Sequence, residues 1–208
     1  MKAICDHKIS CYILLIICAL FSVSCRVHHD VTRVMHKVND HGVSIRITYY
    51  NDKEKVATET YDMQFKLLQR EGIIPDGLIK EYYGNGIKAG EFNYKNNVLN
   101  GLSTSYYENG KKMSEFNWKD NRLDGISRIY DKDGIVFREI EYKSDKKCGY
   151  YKQYFKNHRI KILNNYKNDE LEGISRIFNE NGGIKEEKEY KGGKIVILRK
   201  YSEKGELL

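Results

Sequence analysis

The chain has 208 residues, of which 40% are apolar and 31% charged, with a formal net charge of +7 and a mean hydropathy of −0.65. That balance is too polar for a bundle of membrane-spanning helices, whereas 17 tyrosines and an aromatic share of 12% are too rich for a disordered chain. A single proline argues against a Pro-rich scaffold, and the positive charge favours anionic partners in general without indicating nucleic acid.

Residues 1–24 read as an export signal. Lys2 and Lys8 precede an apolar run from Ile9 to Phe21, and Ser22 and Ser24 occupy the two positions that a signal peptidase keeps small. The run is shorter than the roughly 20 residues a spanning helix needs. Cys25 then becomes the first mature residue and resembles a lipobox cysteine, with Ser22 standing where leucine is usual. The expectation is an exported protein held at the cell envelope through lipid on Cys25. An uncleaved signal anchor, or secretion after cleavage by the general peptidase, are the alternatives. Cys5, Cys11 and Cys18 leave with the signal, so a lipidated Cys25 leaves Cys148 without a partner in the mature chain.

Residues 25–41 read as a polar tether. His28, His29, His36 and His41 lie in it, but a tether gives no fixed geometry for a metal, and no metal or cofactor is expected. Residues 42–74 read as a degenerate capping unit: Val43 to Tyr50 alternates as a strand, Lys55 to Tyr61 is its partner, and Asp62 to Gly72 reads as a short helix with Phe65 and Leu68 on one side.

From Pro75 onward the chain repeats itself. Gly77, Gly101, Gly125, Gly149 and Gly173 recur every 24 residues, accompanied by Tyr82, Tyr106, Tyr130, Tyr154 and Phe178, and by Tyr94, Trp118, Tyr142, Tyr166 and Tyr190, each of these last followed by Lys. A sixth copy with one residue deleted carries Tyr201 and Gly205. Each copy has two turn signals. One ends in Gly86, Gly110, Gly134, His158 or Gly182; the other is Asn96-Asn97, Asp120-Asn121, Ser144-Asp145, Asn168-Asp169 or Gly192-Gly193. Runs of strand length separate the turns, which predicts an all-β, elongated, single antiparallel sheet of repeated hairpins over residues 75–208. A three-residue loop ending in a left-handed residue would put Leu78 and Tyr82 on the same face as Phe92 and Tyr94. His158, in place of glycine, should make the fourth hairpin the most strained.

The motif Tyr-Tyr-Glu-Asn-Gly-Lys at 106–111, with Trp118-Lys119 and Leu123-Asp124-Gly125, resembles the MORN repeat. More closely it is similar to the bacterial MORN-variant proteins labelled YwqK-family antitoxins. The resemblance implies a string of β-hairpins in one elongated twisted sheet, a role in binding or scaffolding, and no catalytic residues. As an antitoxin, the chain would neutralise a cognate toxin by direct binding.

No enzymatic constellation stands out. Gly84-Asn85-Gly86-Ile87-Lys88-Ala89 matches a dinucleotide fingerprint but sits on a hairpin turn, without the helix whose N-terminus would receive a pyrophosphate. Glu91, Glu115, Glu139 and Glu187 recur at one repeat position, expected on the polar face opposite the aromatic residues. Two basic rows are expected beside the aromatic side chains, one containing Arg128 and Arg176 and one containing Lys119 and Lys143. With Tyr82, Tyr106, Trp118, Tyr130 and Tyr142 they form the expected binding surface, suited to a protein or to an anionic envelope polymer or lipid.

Overall fold

The structure, a computed structural model, describes residues 31–38, 44–62, 64 and 66–208. The export signal, Cys25, Phe65 and three of the tether histidines, His28, His29 and His41, lie outside the described residues. The described residues contain no helix and form one sheet of 17 strands. Strands β1 (Val31–Val38), β2 (Ser44–Asn51), β3 (Glu54–Tyr61) and β4 (Leu67–Gly72) precede the repeats. Strands β5 (Gly77–Tyr82), β6 (Lys88–Lys95), β7 (Val98–Tyr106) and β8 (Lys112–Lys119) follow, then the short β9 (Arg122–Leu123), β10 (Gly125–Tyr130), β11 (Val136–Lys143) and β12 (Lys146–Tyr154). The sheet ends with β13 (Ile160–Lys167), the short β14 (Glu170–Leu171), β15 (Gly173–Phe178), β16 (Ile184–Lys191) and β17 (Lys194–Lys200).

Neighbours in sequence pair antiparallel throughout the repeats, as the turn signals require. The first turn of each unit is a three-residue loop: Tyr83 donates to the carbonyl of Ile87 at 2.8 Å, and Gly86, at φ 81°, donates to Tyr83 at 2.9 Å. The second is a two-residue turn with both residues left-handed, for example Asn96 at φ 52° and Asn97 at 65°. That geometry suits the right-handed twist of the flanking strands, and asparagine tolerates it. The recurring glycine that opens each unit has its own reason. Gly125 sits at φ 116°, and a Cβ there would lie 3.2 Å from that of Asn117, whose amide reaches over to the carbonyl of Ile126 at 2.6 Å.

Four expectations are corrected. The segment read as a tether contributes β1, which inserts between β2 and β5. Its pairing with β5, Thr32 with Lys80 and Arg33 with Glu81, is parallel, so the sheet is mixed rather than wholly antiparallel. The segment read as a helix ends in β4, paired with β3 from Ala57–Gly72 to Tyr61–Leu67. The Asp62 carboxylate accepts from the N–H groups of Gln64 and Lys66, both at 2.9 Å, and turns the chain back as a hairpin.

The fourth correction concerns the faces. Beyond each three-residue loop the register slips by one residue: Tyr82 opposes Lys88, but Glu81 opposes Gly90, leaving Ala89 bulged. The same slip leaves Met113, Phe137, Lys161 and Lys185 unpaired in the later units. A one-residue slip exchanges the faces of a strand. Phe92 and Tyr94 therefore share a face with Ile79, while Leu78 shares the other with Asn93. Exposure agrees: Ile79 is 0% exposed and Leu78 45%.

The buried core lies at the N-terminal end. Ile45, Ile47, Tyr49 and Ala57 pack with Ile74, Ile79 and Tyr94. Burying each of the isoleucines contributes about 1.5–3 kcal/mol. Tyr49 and Tyr94 stand three strands apart, about 14 Å in a flat sheet, yet their ring centroids are 5.7 Å apart. The sheet curls there toward the face that carries Tyr94.

Candidate functional site

One face of the repeats is a ladder of glutamates and their donors. Glu91 lies opposite Thr104, Glu115 opposite Arg128, Glu139 opposite Lys152 and Glu187 opposite Arg199. A tyrosine two residues further along the next strand donates to each of the first three: Tyr106 to Glu91 at 2.9 Å, Tyr130 to Glu115 at 2.6 Å and Tyr154 to Glu139 at 2.9 Å. Lys88 and Arg128 hold Glu91 and Glu139 from within their own hairpins at 2.8 and 2.9 Å, and Arg176 and Arg199 both hold Glu187 at 2.8 Å. At the position between, Leu163 replaces the glutamate and Phe178 the tyrosine together.

These contacts tune the groups. The Lys88 ammonium, together with the Tyr106 hydroxyl, holds Glu91 below the usual carboxylate range despite partial burial. Burial and the Glu115 carboxylate push the Tyr130 phenol up to about 12, and burial with Glu139 does the same for Tyr154.

The opposite face carries the large aromatics. Phe116 and Trp118 pack at a tilt with ring centroids 6.3 Å apart, and the row continues through Ile140, Tyr142, Tyr151 and Tyr166. At its N-terminal end the curled sheet closes a groove of about 370 Å³ between Met35, Ile47, Leu99, Phe116 and Trp118. Arg33 forms one wall. Its guanidinium lies 3.3 Å from the centre of the Phe92 ring, bonds Glu81 at 3.1 Å and donates to the Tyr94 hydroxyl at 3.3 Å. Behind it Glu59, 1% exposed, accepts from Tyr49, from Tyr61 at 2.8 Å and from Arg70. Burial and this carboxylate push both phenols above their ordinary range.

The expected binding surface divides between the two faces. Trp118 and Tyr142 lie on the groove face. Tyr106, Tyr130, Arg128 and Arg176 lie on the glutamate face, and Tyr82, 45% exposed, opposes Lys88 beside them. The glutamates thus share a face with Arg128 instead of opposing it, and Arg128 and Arg176 are neutralised by Glu139 and Glu187. Lys119 and Lys143 stand exposed at the rim beside the two-residue turns, where Lys143 pairs with Asp124 at 3.2 Å. Residue reading missed Arg33, Glu59 and Arg70, whose partners lie on other strands. Among the described residues no group of three His, Cys, Asp or Glu side chains could hold a metal ion.

The hairpins, their two turn types and the 24-residue register agree with a comparison of the sequence. Four stretches, residues 75–96, 99–120, 123–144 and 171–191, match the MORN repeat variant. The MORN-variant matches skip the unit around residues 147–168, although strands β12 and β13 continue the sheet there in the same register. No curated protein matches the chain.

Proposed function

We propose that this MORN-variant repeat protein is a non-enzymatic, exported binding scaffold, lipid-anchored at Cys25, whose Trp118 face holds a protein partner at the cell envelope. The supporting observation is the aromatic row itself. Only its N-terminal end is covered by β2 and β3, while Phe116, Trp118, Tyr142, Tyr151 and Tyr166 run on half-buried along an open sheet. Extended apolar surface of this kind marks interaction sites. The glutamate face is the weaker candidate for an anionic polymer or lipid, because its arginines already have carboxylate partners. Export is supported by the signal-like residues 1–24. In the antitoxin reading the same face would occlude a cognate toxin.

A photo-crosslinking residue placed at Phe116 or Leu123 in the full chain, in cells, should capture one partner. The same residue at Leu102 or Ile174, exposed on the glutamate face, should not. Capture only from Leu102 and Ile174 would reject the assignment. Cys25→Ala should move the protein to the soluble fraction; a variant that still floats with membranes at high salt would reject the anchor.

A further inference from the structure

The junction of the third and fourth units departs from the others on the Trp118 face. Lys147 stands where the other units have Leu99, Leu123, Leu171 and Ile195, and Asn164 where three of them have Phe92, Phe116 and Ile140. Arg138 stands in a varied row with Gly90, Ser114, Ile162 and Glu186, and is its only cation. The backbone does not require the changes, because Ile140 opposes Tyr151 and Tyr142 opposes Lys147 just as Phe92 opposes Ser103 and Tyr94 opposes Leu99. The MORN-variant matches pass over Lys147 and Asn164, whereas Arg138 lies in the matched stretch 123–144.

The replacements gather charge that is not neutralised. The guanidinium of Arg138 lies 5.5 Å from the centre of the Tyr151 ring, and the ammonium of Lys147 lies 5.1 Å from that of Tyr166. Among the described residues neither forms an ion pair, and the buried Nε of Arg138 has no hydrogen-bond acceptor. The nearby Asp169 carboxylate accepts from the backbone N–H of Lys147 at 2.8 Å. On the other face Arg128, Arg176 and Arg199 are held by glutamates, unlike Arg138 and Lys147.

We infer that Arg138 and Lys147 form a two-cation seat for an extended acidic segment of a protein partner. This rests on the binding reading of the Trp118 face. Lys147 opposes Tyr142, four residues along β11 from Arg138, which sets their backbones about 13 Å apart along the strand. Two carboxylates at positions i and i+4 of an extended peptide have that spacing, and the residue between them meets Ile140 and Tyr151. The arginine fork suits a carboxylate bidentately, and the uncharged rings beneath the cations hold them in place without cancelling their charge.

The test is zero-length carbodiimide coupling between the full chain and the peptide acetyl-Glu-Thr-Val-Thr-Glu-amide. An activated peptide carboxylate forms an amide with a lysine amine, and mass spectrometry locates it. Lys147 should couple several-fold more than the exposed Lys119 and Lys143. Arg138→Ser, which restores the small residue found at Ser114, should lower coupling at Lys147 about tenfold, the loss of one charge-assisted hydrogen bond. A peptide with its two glutamates at i and i+2 should lose the preference. Equal coupling at all three lysines, or no change in a folded Arg138→Ser variant, overturns the seat while leaving crosslinks from Phe116 standing. Preferential coupling of oligogalacturonate but not of the peptide overturns it in favour of an acidic polysaccharide. Loss of the Phe116 crosslinks with Lys147 still preferred would instead reject the wider reading of the face.

Discussion

The hydroxyl of Tyr130 donates to the carboxylate of Glu115 across 2.6 Å, joining one hairpin to the hairpin before it. The same staple recurs at Tyr106–Glu91 and Tyr154–Glu139, and at the next position both members are replaced together by apolar residues, Leu163 and Phe178. A half-replaced pair leaves a carboxylate short of a donor. Tyr130→Phe should therefore cost about 1–2 kcal/mol in urea denaturation. Glu115→Leu combined with Tyr130→Phe should recover part of that loss. Additive losses in the double variant would show that the two residues are not coupled.

The ladder should also set the pH range of stability. Glu91 is held below its ordinary range chiefly by Lys88, and Glu187 chiefly by Arg176; for Glu115, burial pushes upward but is outweighed by Lys112 and Tyr130. Carboxylates depressed in the fold contribute stability above their unfolded value of about 4.3, and that stability is lost as pH falls below it. Tyr130 and Tyr154, raised to about 12, stabilise the fold below their unfolded value near 10 and lose the contribution as pH rises toward 12. The urea midpoint should be flat from about pH 5 to 9 and fall on both sides. Glu115→Gln should flatten the acid limb; an unchanged limb would place the acid sensitivity elsewhere.

His158 adopts φ 66° where the equivalent turn positions have Gly86, Gly110, Gly134 and Gly182. Its N–H still donates to the carbonyl of Phe155, at 3.1 Å, so the loop keeps its form at the expense of a side chain in the left-handed region. His158→Gly should stabilise the protein by about 1 kcal/mol. A loss of stability would mean that the imidazole makes a contact that offsets its strain.

What could be read from residues alone was what local conformation decides. The Asn-Asn and Asn-Gly pairs tolerate the positive φ that tight turns need, so the hairpins, their loop lengths and their period were legible. The faces were not, because the bulged Ala89, Met113, Phe137, Lys161 and Lys185 share no residue type that announces a slip of register. Strand β1 was hidden for another reason. Its Arg33 looks like tether polarity until Glu81, 48 residues later, and the Phe92 ring accommodate it. Half of the expected binding surface was therefore assigned to the wrong side of Trp118, although each residue chosen lies on the sheet or its rim.

The staples give a specific expectation for removing a whole unit. Deleting residues 101–124 joins Asn100 to Gly125, and every cross-strand neighbour is replaced by its equivalent one period later. Ser127 would take the place of Ser103 opposite Phe92, Arg128 that of Thr104 opposite Glu91, and Tyr130 that of Tyr106 as the donor to Glu91. The new Arg128–Glu91 pair adds an ion pair where threonine stood, but Arg128 keeps Glu139 opposite it from β11. The buried core around Tyr49 and Ile79 is untouched except at the groove, which loses Phe116 and Trp118. Since each repeat hairpin pairs only with its neighbours, stability should fall by roughly one repeat's share and not collapse. Circular dichroism should retain a β spectrum with cooperative unfolding at a lower urea midpoint. Loss of the β signal on deletion would mean that the sheet depends on contacts beyond adjacent hairpins, and would reject the repeat-array description.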